Sequence, residues 1–457
     1  MSQTKAQLIG PLVADDISVT GTINFDSGTF KVDSTNDKVG IATGTSAPTK
    51  TLDVGGDTQI ADLYYTADYP TVRPTIDLAF DKVKKLDNRI TFRRESIGTI
   101  VNSDGYIETI GHNKPRFDYD PVTKESLGLL IEESRTNLIS YSQDFTNALW
   151  QTGNNRATCD ATTGIDDPSG GTTASRWSSG TSSGQELIFR QTGTTAGALT
   201  GLTCTKSTWV RRVSNDGTIS FFVGDNVGAS INSQLNSVPV GTWVRCSVTR
   251  TIVGNNGDTR NYIAVYPGTD GQPTTIDIWG DQFEVGSFPT SYIPTSETSV
   301  TRGADIVTIK GTNFTSFHNA AEGTLYGEYK SASGTAPYLV MLSDGTNNNR
   351  TIINANYDDY QAVVKYNNGT NQAVIDGGTP IANANNKTAL AFKKDDFALS
   401  LNGGTVATDT SGDVSVNTMI TIGSRLGSDS FINSTINAIK YYNKRLPNAQ
   451  LQGLTYL

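Results

Sequence analysis

The sequence predicts an all-β chain built of many short strands. Three observations carry this. Charged residues are 18% of the 457 positions, below the roughly 25% of ordinary soluble chains, so uncharged Thr, Ser, Asn and Gly must dress the surface. Glycine reaches 45 residues, and with asparagine it supplies the φ > 0 positions of tight turns between short strands. Apolar residues alternate at period two, as in Trp243-Val244-Arg245-Cys246-Ser247-Val248 and Tyr262-Ile263-Ala264-Val265-Tyr266, the spacing of half-buried strands.

Charge and composition exclude several classes. A net charge of −9 disfavours a phosphate-backbone partner, which needs clustered Lys and Arg, so no nucleic acid is expected. No apolar run approaches the ~20 residues that span a bilayer, so membrane insertion is not expected either. Met1 to Leu8 lacks the apolar core of a secretory signal, which implies folding in a reducing cytosol. Of the three cysteines, Cys159, Cys204 and Cys246, the last alternates with Val244 and Val248 and shares their apolar face. A buried free thiol is the favoured reading over a disulfide.

The length suggests about three domains, and the pattern places four segments. Residues 1–66 carry short alternating strands, Ile17 with Val19 and Ile23 with Phe25, and too few apolar residues for a core of their own. Burial against copies of the same strands is the simplest remedy, hence a homotrimer; docking onto a larger partner is the alternative. Residues 67–136 alternate again (Ile76, Leu78, Phe80; Ile90, Phe92), and Asp104-Gly105 marks a hairpin between Ile100-Val101 and Tyr106-Ile107. Residues 137–302 hold all five tryptophans and Gly-rich punctuation, which fits a sandwich of about eight strands. Residues 303–457 hold no tryptophan or cysteine but many tyrosines, and Pro447 is placed to open a last helical turn with Leu451 and Leu454 facing the core.

Several strings carry a resemblance. Gly128-Leu129-Leu130-Ile131-Glu132-Glu133-Ser134-Arg135-Thr136-Asn137, approached by Pro115-Arg116-Phe117-Asp118-Tyr119-Asp120-Pro121, and Trp279-Gly280-Asp281-Gln282-Phe283-Glu284-Val285-Gly286-Ser287-Phe288-Pro289-Thr290-Ser291-Tyr292-Ile293-Pro294-Thr295 bracket one module. Together they resemble recurring modules of tailed-bacteriophage fibres and spikes, the second matching the closing strand of a carbohydrate-binding-module-like jelly roll. Val39 to Pro48 with Thr51 to Asp57 resembles a repeat unit of phage fibre shafts, with Ala42 where a glycine is usual. In the last segment, Gly323 to Tyr329, Lys387 to Phe392, Phe397 to Gly403, Met419 to Gly423 and Ile436 to Pro447 resemble a concanavalin A-like, laminin-G-like sandwich; Gln450 stands where that family has an acidic residue.

Candidate chemistry is sparse. Only two histidines occur, His112 and His318, in different segments, which speaks against a His triad or zinc site. The acidic doublets Asp118 with Asp120, Glu132-Glu133, Asp358-Asp359 and Asp395-Asp396 could in principle serve a glycosidase, but neighbours on a strand point to opposite faces, and Asp395-Asp396 reads as a solvated hairpin tip. The string Glu132 to Asn137 reads first as structural, with Arg135 bridging a carboxylate and pinning collar to jelly roll; a receptor contact is the alternative. Trp150, Trp209, Trp243 and Trp279 read as core, whereas Trp177, between Arg176 and Ser178, is a candidate sugar-stacking ring. Tyr357-Asp358-Asp359-Tyr360, a loop tip between apolar strands, is a candidate site for sugar or Ca²⁺, against the plainer reading of a polar turn.

The resemblance then implies an all-β architecture, an N-terminal fibrous β shaft and collar followed by two β-sandwich (jelly-roll) domains, in a virion protein assembled in a host cytoplasm, whose N-terminal segment attaches to other virion proteins. Its expected task is non-catalytic attachment to a host surface glycan. The alternatives are a capsid- or baseplate-decorating structural fibre and a polysaccharide-depolymerising tailspike.

Overall fold

The computed structural model describes residues 22–25, 30–33, 38–41, 52–54, 70, 72–153, 158–181, 186–191, 199–224, 229–232, 239–254, 260–330, 337–354, 360–366 and 369–456. The chain divides into two units, Met1–Tyr65 and Thr66–Leu457. In the first, strands Thr22–Phe25, Phe30–Asp33 and Lys38–Ile41 pair antiparallel in turn, and Leu52–Val54 pairs parallel with the third. Ile17 and Val19 lie outside the described residues.

The second unit holds two sandwiches. The first, within residues 137–302, has two five-stranded sheets. One runs Thr158–Ile165, Ala174–Ser178, Thr275–Val285, Thr203–Ser214, Trp243–Thr251; the other runs Gln151–Gly153, Glu186–Gln191, Arg260–Val265, Ile219–Gly224, Ala229–Asn232. Their inner faces share one apolar core, in which Val210, Ile276, Ile278 and Phe283 of the first sheet meet Ile219, Phe221, Val223 and Ile263 of the second. Cys204 and Cys246 are buried free thiols in this core; desolvation pushes them up to about 11 and about 12, so both stay protonated. The side chain of Cys159 lies outside the described residues. Where the chain joins and leaves this module, Arg135–Asn137 pairs antiparallel with Val300–Arg302.

The C-terminal sandwich has an eight-stranded and a seven-stranded sheet. In the larger, Ser434–Tyr442 pairs with Glu322–Lys330 along one edge. Its other edge is shared by Ser126–Ile131 and Ile76–Ala79, and Phe117–Tyr119 extends the sheet. Thr91–Arg93 closes the smaller sheet against Ile306–Lys310. The segment read as a collar therefore supplies outer strands to both sheets of this sandwich. Its alternation explains the burial: Ile76, Leu78 and Phe80 are buried while Asp77 is exposed, and Leu129 and Ile131 enter the same core as Val307, Ile309 and Ile439. The Asp104-Gly105 hairpin forms between Gly98–Val101 and Ile107–Ile110, with Gly105 at φ 84°. Helix Asn448–Thr455 follows Pro447 and buries Leu451 and Leu454 against Ala389, Ala391 and Ala398. No helix among the described residues is long and apolar enough to cross a membrane.

Candidate functional site

Strand Thr275–Val285 changes phase once, and that change builds the site. Ile276 and Ile278 face the sandwich core, yet after Gly280 it is Phe283 that does. Gly280 sits at φ 65°, and the ladder to Thr203–Ser214 slips between Ser207 and Trp209, a β-bulge. A Cβ at Gly280 would come within 3.1 Å of the Trp209 ring. Trp279 is left on the face away from the core, where Trp209, Trp279 and Tyr292 cluster with ring centroids 4.8–5.5 Å apart.

A partly open cavity of about 180 Å³ lies where this aromatic face meets the Gly98–Val101 hairpin, the strand Phe117–Tyr119 that carries Asp118, and Glu132 just past the strand Ser126–Ile131. Trp209, Arg245, Ser291 and Tyr292 line it together with Asp118, Leu130 and Glu132. Leu130 faces this cavity because its neighbours Leu129 and Ile131 take the sandwich core.

Arg245 stands opposite Trp209 in the ladder, its guanidinium 4.4 Å from the ring centroid, and donates to Ser207 Oγ at 3.0 Å. Among the described residues its buried Nε has no hydrogen-bond partner, and desolvation lowers its pKa against the pull of Glu284 and Glu132. Asp118 accepts the Val101 N–H at 2.7 Å. Burial raises its carboxyl to about 6, opposed by that N–H and by Arg116.

Behind the cavity lies a buried charge network. Glu132 accepts the Ser291 N–H at 2.7 Å and hydroxyl at 2.6 Å, with Arg116 Nη2 at 2.8 Å and Arg302 Nη2 at 3.5 Å. Desolvation pushes Glu132 up, but Arg302, Arg116 and Ser291 outweigh it and hold it at about 2. Asp305 pairs with Arg94 at 3.0 Å and with Arg116, and its Oδ2 accepts the Glu132 N–H at 3.0 Å. These groups tie residues 94–132 to Ser291, Arg302 and Asp305, locking the C-terminal sandwich to the preceding module.

The string Glu132 to Asn137 acts in the same junction. Arg135 bonds Glu133 at 2.6 Å, donates to the Val285 carbonyl and lies 4.9 Å from the Phe288 centroid. Asn137 donates to the carbonyls of Asp281 and Ile293 and accepts from the N–H groups of Ile139 and Phe283.

Other sequence candidates fall elsewhere. Trp177 is 3% exposed within the sandwich core, which corrects its reading as a stacking platform, because so enclosed a ring presents no face to a sugar. Tyr357, Asp358 and Asp359 lie outside the described residues; Tyr360 opens the strand Tyr360–Tyr366, and its side chain is outside them too. Trp150 and Trp279 are buried as expected, whereas Trp209 and Trp243 are partly exposed. Asp120 caps a turn through the N–H groups of Val122 and Thr123, and Asp396 pairs with Arg445 at 2.7 Å. His318 is set between Phe314 and Tyr441, and desolvation lowers it to about 4. Among the described residues no group of three or more His, Cys, Asp or Glu is arranged to hold a metal ion.

By sequence the chain matches no family model and no curated protein. Among solved structures it resembles the receptor-binding domain of botulinum neurotoxin mosaic serotype C/D at 13% identity, over 32% of this chain and 38% of that one, with a TM-score of 0.25. It also resembles the N-terminal CBM22 tandem of Paenibacillus barcinonensis Xyn10C at 9% identity, over 68% of this chain and 99% of that one, with a TM-score of 0.24. A third likeness is to domains LG4-5 of the mouse laminin alpha1 chain at 10% identity, over 60% and 92%, with a TM-score of 0.21. The chain thus spans well under half of the neurotoxin domain. Likeness at these TM-scores bears on neither fold nor ligand, and the antiparallel sandwiches stand on the strand ladders themselves.

Proposed function

We propose that this chain is an attachment fibre of a tailed-bacteriophage virion that binds a host surface polysaccharide without cleaving it, one sugar residue seating in the cavity at Trp209 and Arg245. That cavity carries the reading. Its walls combine partly exposed indole surface, which complements the C–H face of a pyranose, with guanidinium donors, the Ser291 hydroxyl and the Asp118 carboxyl, which suit sugar hydroxyls. At about 180 Å³ it is smaller than the roughly 300–1,000 Å³ of drug-sized sites, so it admits one ring rather than a chain. Weak single contacts of this kind gain strength by repetition, and trimeric display would supply it. The fibre resemblance of the Glu132 to Asn137 and Trp279 to Thr295 strings supports the virion setting.

A second reading rests on one observation: Asp118, held at about 6, and Glu132, held at about 2, line the same cavity. A protonated and an ionised carboxyl together are the equipment of a glycosidase. Against it, both Glu132 oxygens are already occupied by Ser291, Arg116 and Arg302, so the carboxylate is not free to attack.

The test is binding of the labelled full chain to host cells before and after their surface polysaccharide is stripped, with Arg245→Ala alongside. Binding lost on stripping and weakened by the substitution supports the reading. Shortening of the polysaccharide during incubation would favour the depolymerase. No binding to intact cells would leave a structural, decorating fibre.

A further inference from the structure

The core of the first sandwich contains a pair that sugar binding does not use. Lys206 and Asp281 project from neighbouring strands into the space between the two sheets, their side chains 1% and 0% exposed. The Gly280 bulge brings this about, because it shifts Asp281 onto the inward face shared by Cys204, Lys206, Thr208 and Val210. Lys206 Nζ donates to Asp281 Oδ1, which also accepts the Thr208 hydroxyl. The ammonium stands 5.7 Å from the Phe221 ring centroid on the facing sheet.

As an ion pair this arrangement is poorly served. An ammonium has three donors, and among the described residues Asp281 Oδ1 is the one acceptor that Nζ reaches. Among the described residues the buried Asp281 Oδ2 has no hydrogen-bond partner. Charges in an apolar core are costly unless fully hydrogen-bonded. An amide would need far less, one acceptor for its N–H and one donor for its carbonyl, and Thr208 already supplies the donor.

We propose that Lys206 and Asp281 form an intramolecular isopeptide bond. The proton passes first from the ammonium, whose pKa desolvation lowers, to Oδ2 of the carboxylate, giving a neutral amine and a carboxylic acid. The Nζ lone pair then attacks Cγ, forming the C–N bond. A second proton passes from Nζ to the departing Oδ2, the Cγ–Oδ2 bond breaks and one water is released, while Oδ1 stays as the amide carbonyl polarised by the Thr208 hydroxyl. Ammonium plus carboxylate gives amide plus water, with no oxidant or reductant. The product covalently joins two neighbouring inner strands of the sheet, Thr203–Ser214 and Thr275–Val285, which are 75 positions apart at the crosslink. Such a bond withstands both the reducing cytosol and pulling on an assembled fibre, where a disulfide withstands only the second.

Mass spectrometry of the purified full chain decides it. The expected result is an intact mass one water below the sequence mass, with proteolysis yielding a branched peptide that joins the segments containing Lys206 and Asp281. Asp281→Ala and Lys206→Met restore the full mass, and Thr208→Val leaves a fraction of molecules unjoined. Full sequence mass with separate linear peptides overturns the proposal, as does a water loss that maps to a cyclised Asp281 in a linear peptide. The mass of the unsubstituted protein is decisive by itself, whether or not the variants fold.

Discussion

The Arg245 guanidinium lies 4.4 Å from the centre of the Trp209 ring, the two residues standing directly opposite on neighbouring strands. Among the described residues no carboxylate forms an ion pair with Arg245, and Arg245 lines the cavity, so it is the cation that a sugar would meet there. A hydrogen bond from a charged group contributes about 1.5–3 kcal/mol. Arg245→Ala should therefore weaken binding of saccharide fragments by roughly tenfold to a hundredfold by calorimetry, with Trp209→Ala comparable. Unchanged affinity in both variants would move the sugar away from this cavity.

Asp305 is completely buried and balances Arg94 and Arg116 together. Asp305→Ala leaves two buried guanidiniums without their shared carboxylate, a loss of about 3–5 kcal/mol. Thermal or urea denaturation should show a large drop in midpoint for this variant and almost none for the exposed Glu297→Ala. Equal midpoints would mean that the network contributes geometry and not stability.

Asp118 and Glu132 should leave opposite marks on stability as pH changes. Asp118 has a folded pKa raised to about 6, so the stability it contributes is full below its unfolded pKa, near 3.9, and is lost as pH rises through about 6. Glu132 is depressed to about 2, so its contribution is present above its unfolded pKa, near 4.3, and is lost as pH falls through about 2. Relative to Asp118→Asn, the unsubstituted protein should lose stability between about pH 4 and 6 and level off above. A difference that is flat across that window would show that the Asp118 carboxyl is solvated.

Much of this architecture was legible because burial writes a period into sequence. The alternation of Ile76, Leu78 and Phe80, the Asp104-Gly105 turn and the Pro447 helix all appear where the pattern places them. What the pattern does not carry is which strand pairs with which. Ile76–Ala79 pairs with Ser434–Tyr442 across more than 350 positions, and no local signal names that partner, so residues 67–136 read as a separate collar. The cavity was hidden for the same reason. Trp209 and Arg245 meet through strand register, and Arg94, Arg116, Arg302 and Asp305 meet through the docking of two sandwiches. Trp177 misled because its flanking Arg176 and Ser178 point away while the indole turns inward; Arg176 pairs instead with Asp277 at 2.7 Å. The bulge that aims Asp281 at Lys206 turns on a single glycine, one of 45.

The shared sheet makes a prediction about where the chain can be cut. Ile76, Leu78, Phe80, Leu129 and Ile131 all lie in the core of the C-terminal sandwich, and each such side chain contributes about 1.5–3 kcal/mol on burial. Together that is on the order of the whole 5–15 kcal/mol by which a domain is stable. Removing residues 1–136 would also bare the edge of Ser434–Tyr442 that Ser126–Ile131 and Ile76–Ala79 cover, and an unpaired edge invites aggregation. A fragment of residues 137–457 should therefore be aggregated or melt far below one of residues 66–457, measured by size-exclusion chromatography and circular dichroism. If the shorter fragment were monodisperse with an equal melting temperature, residues 67–136 would be an appendage and not part of the sandwich.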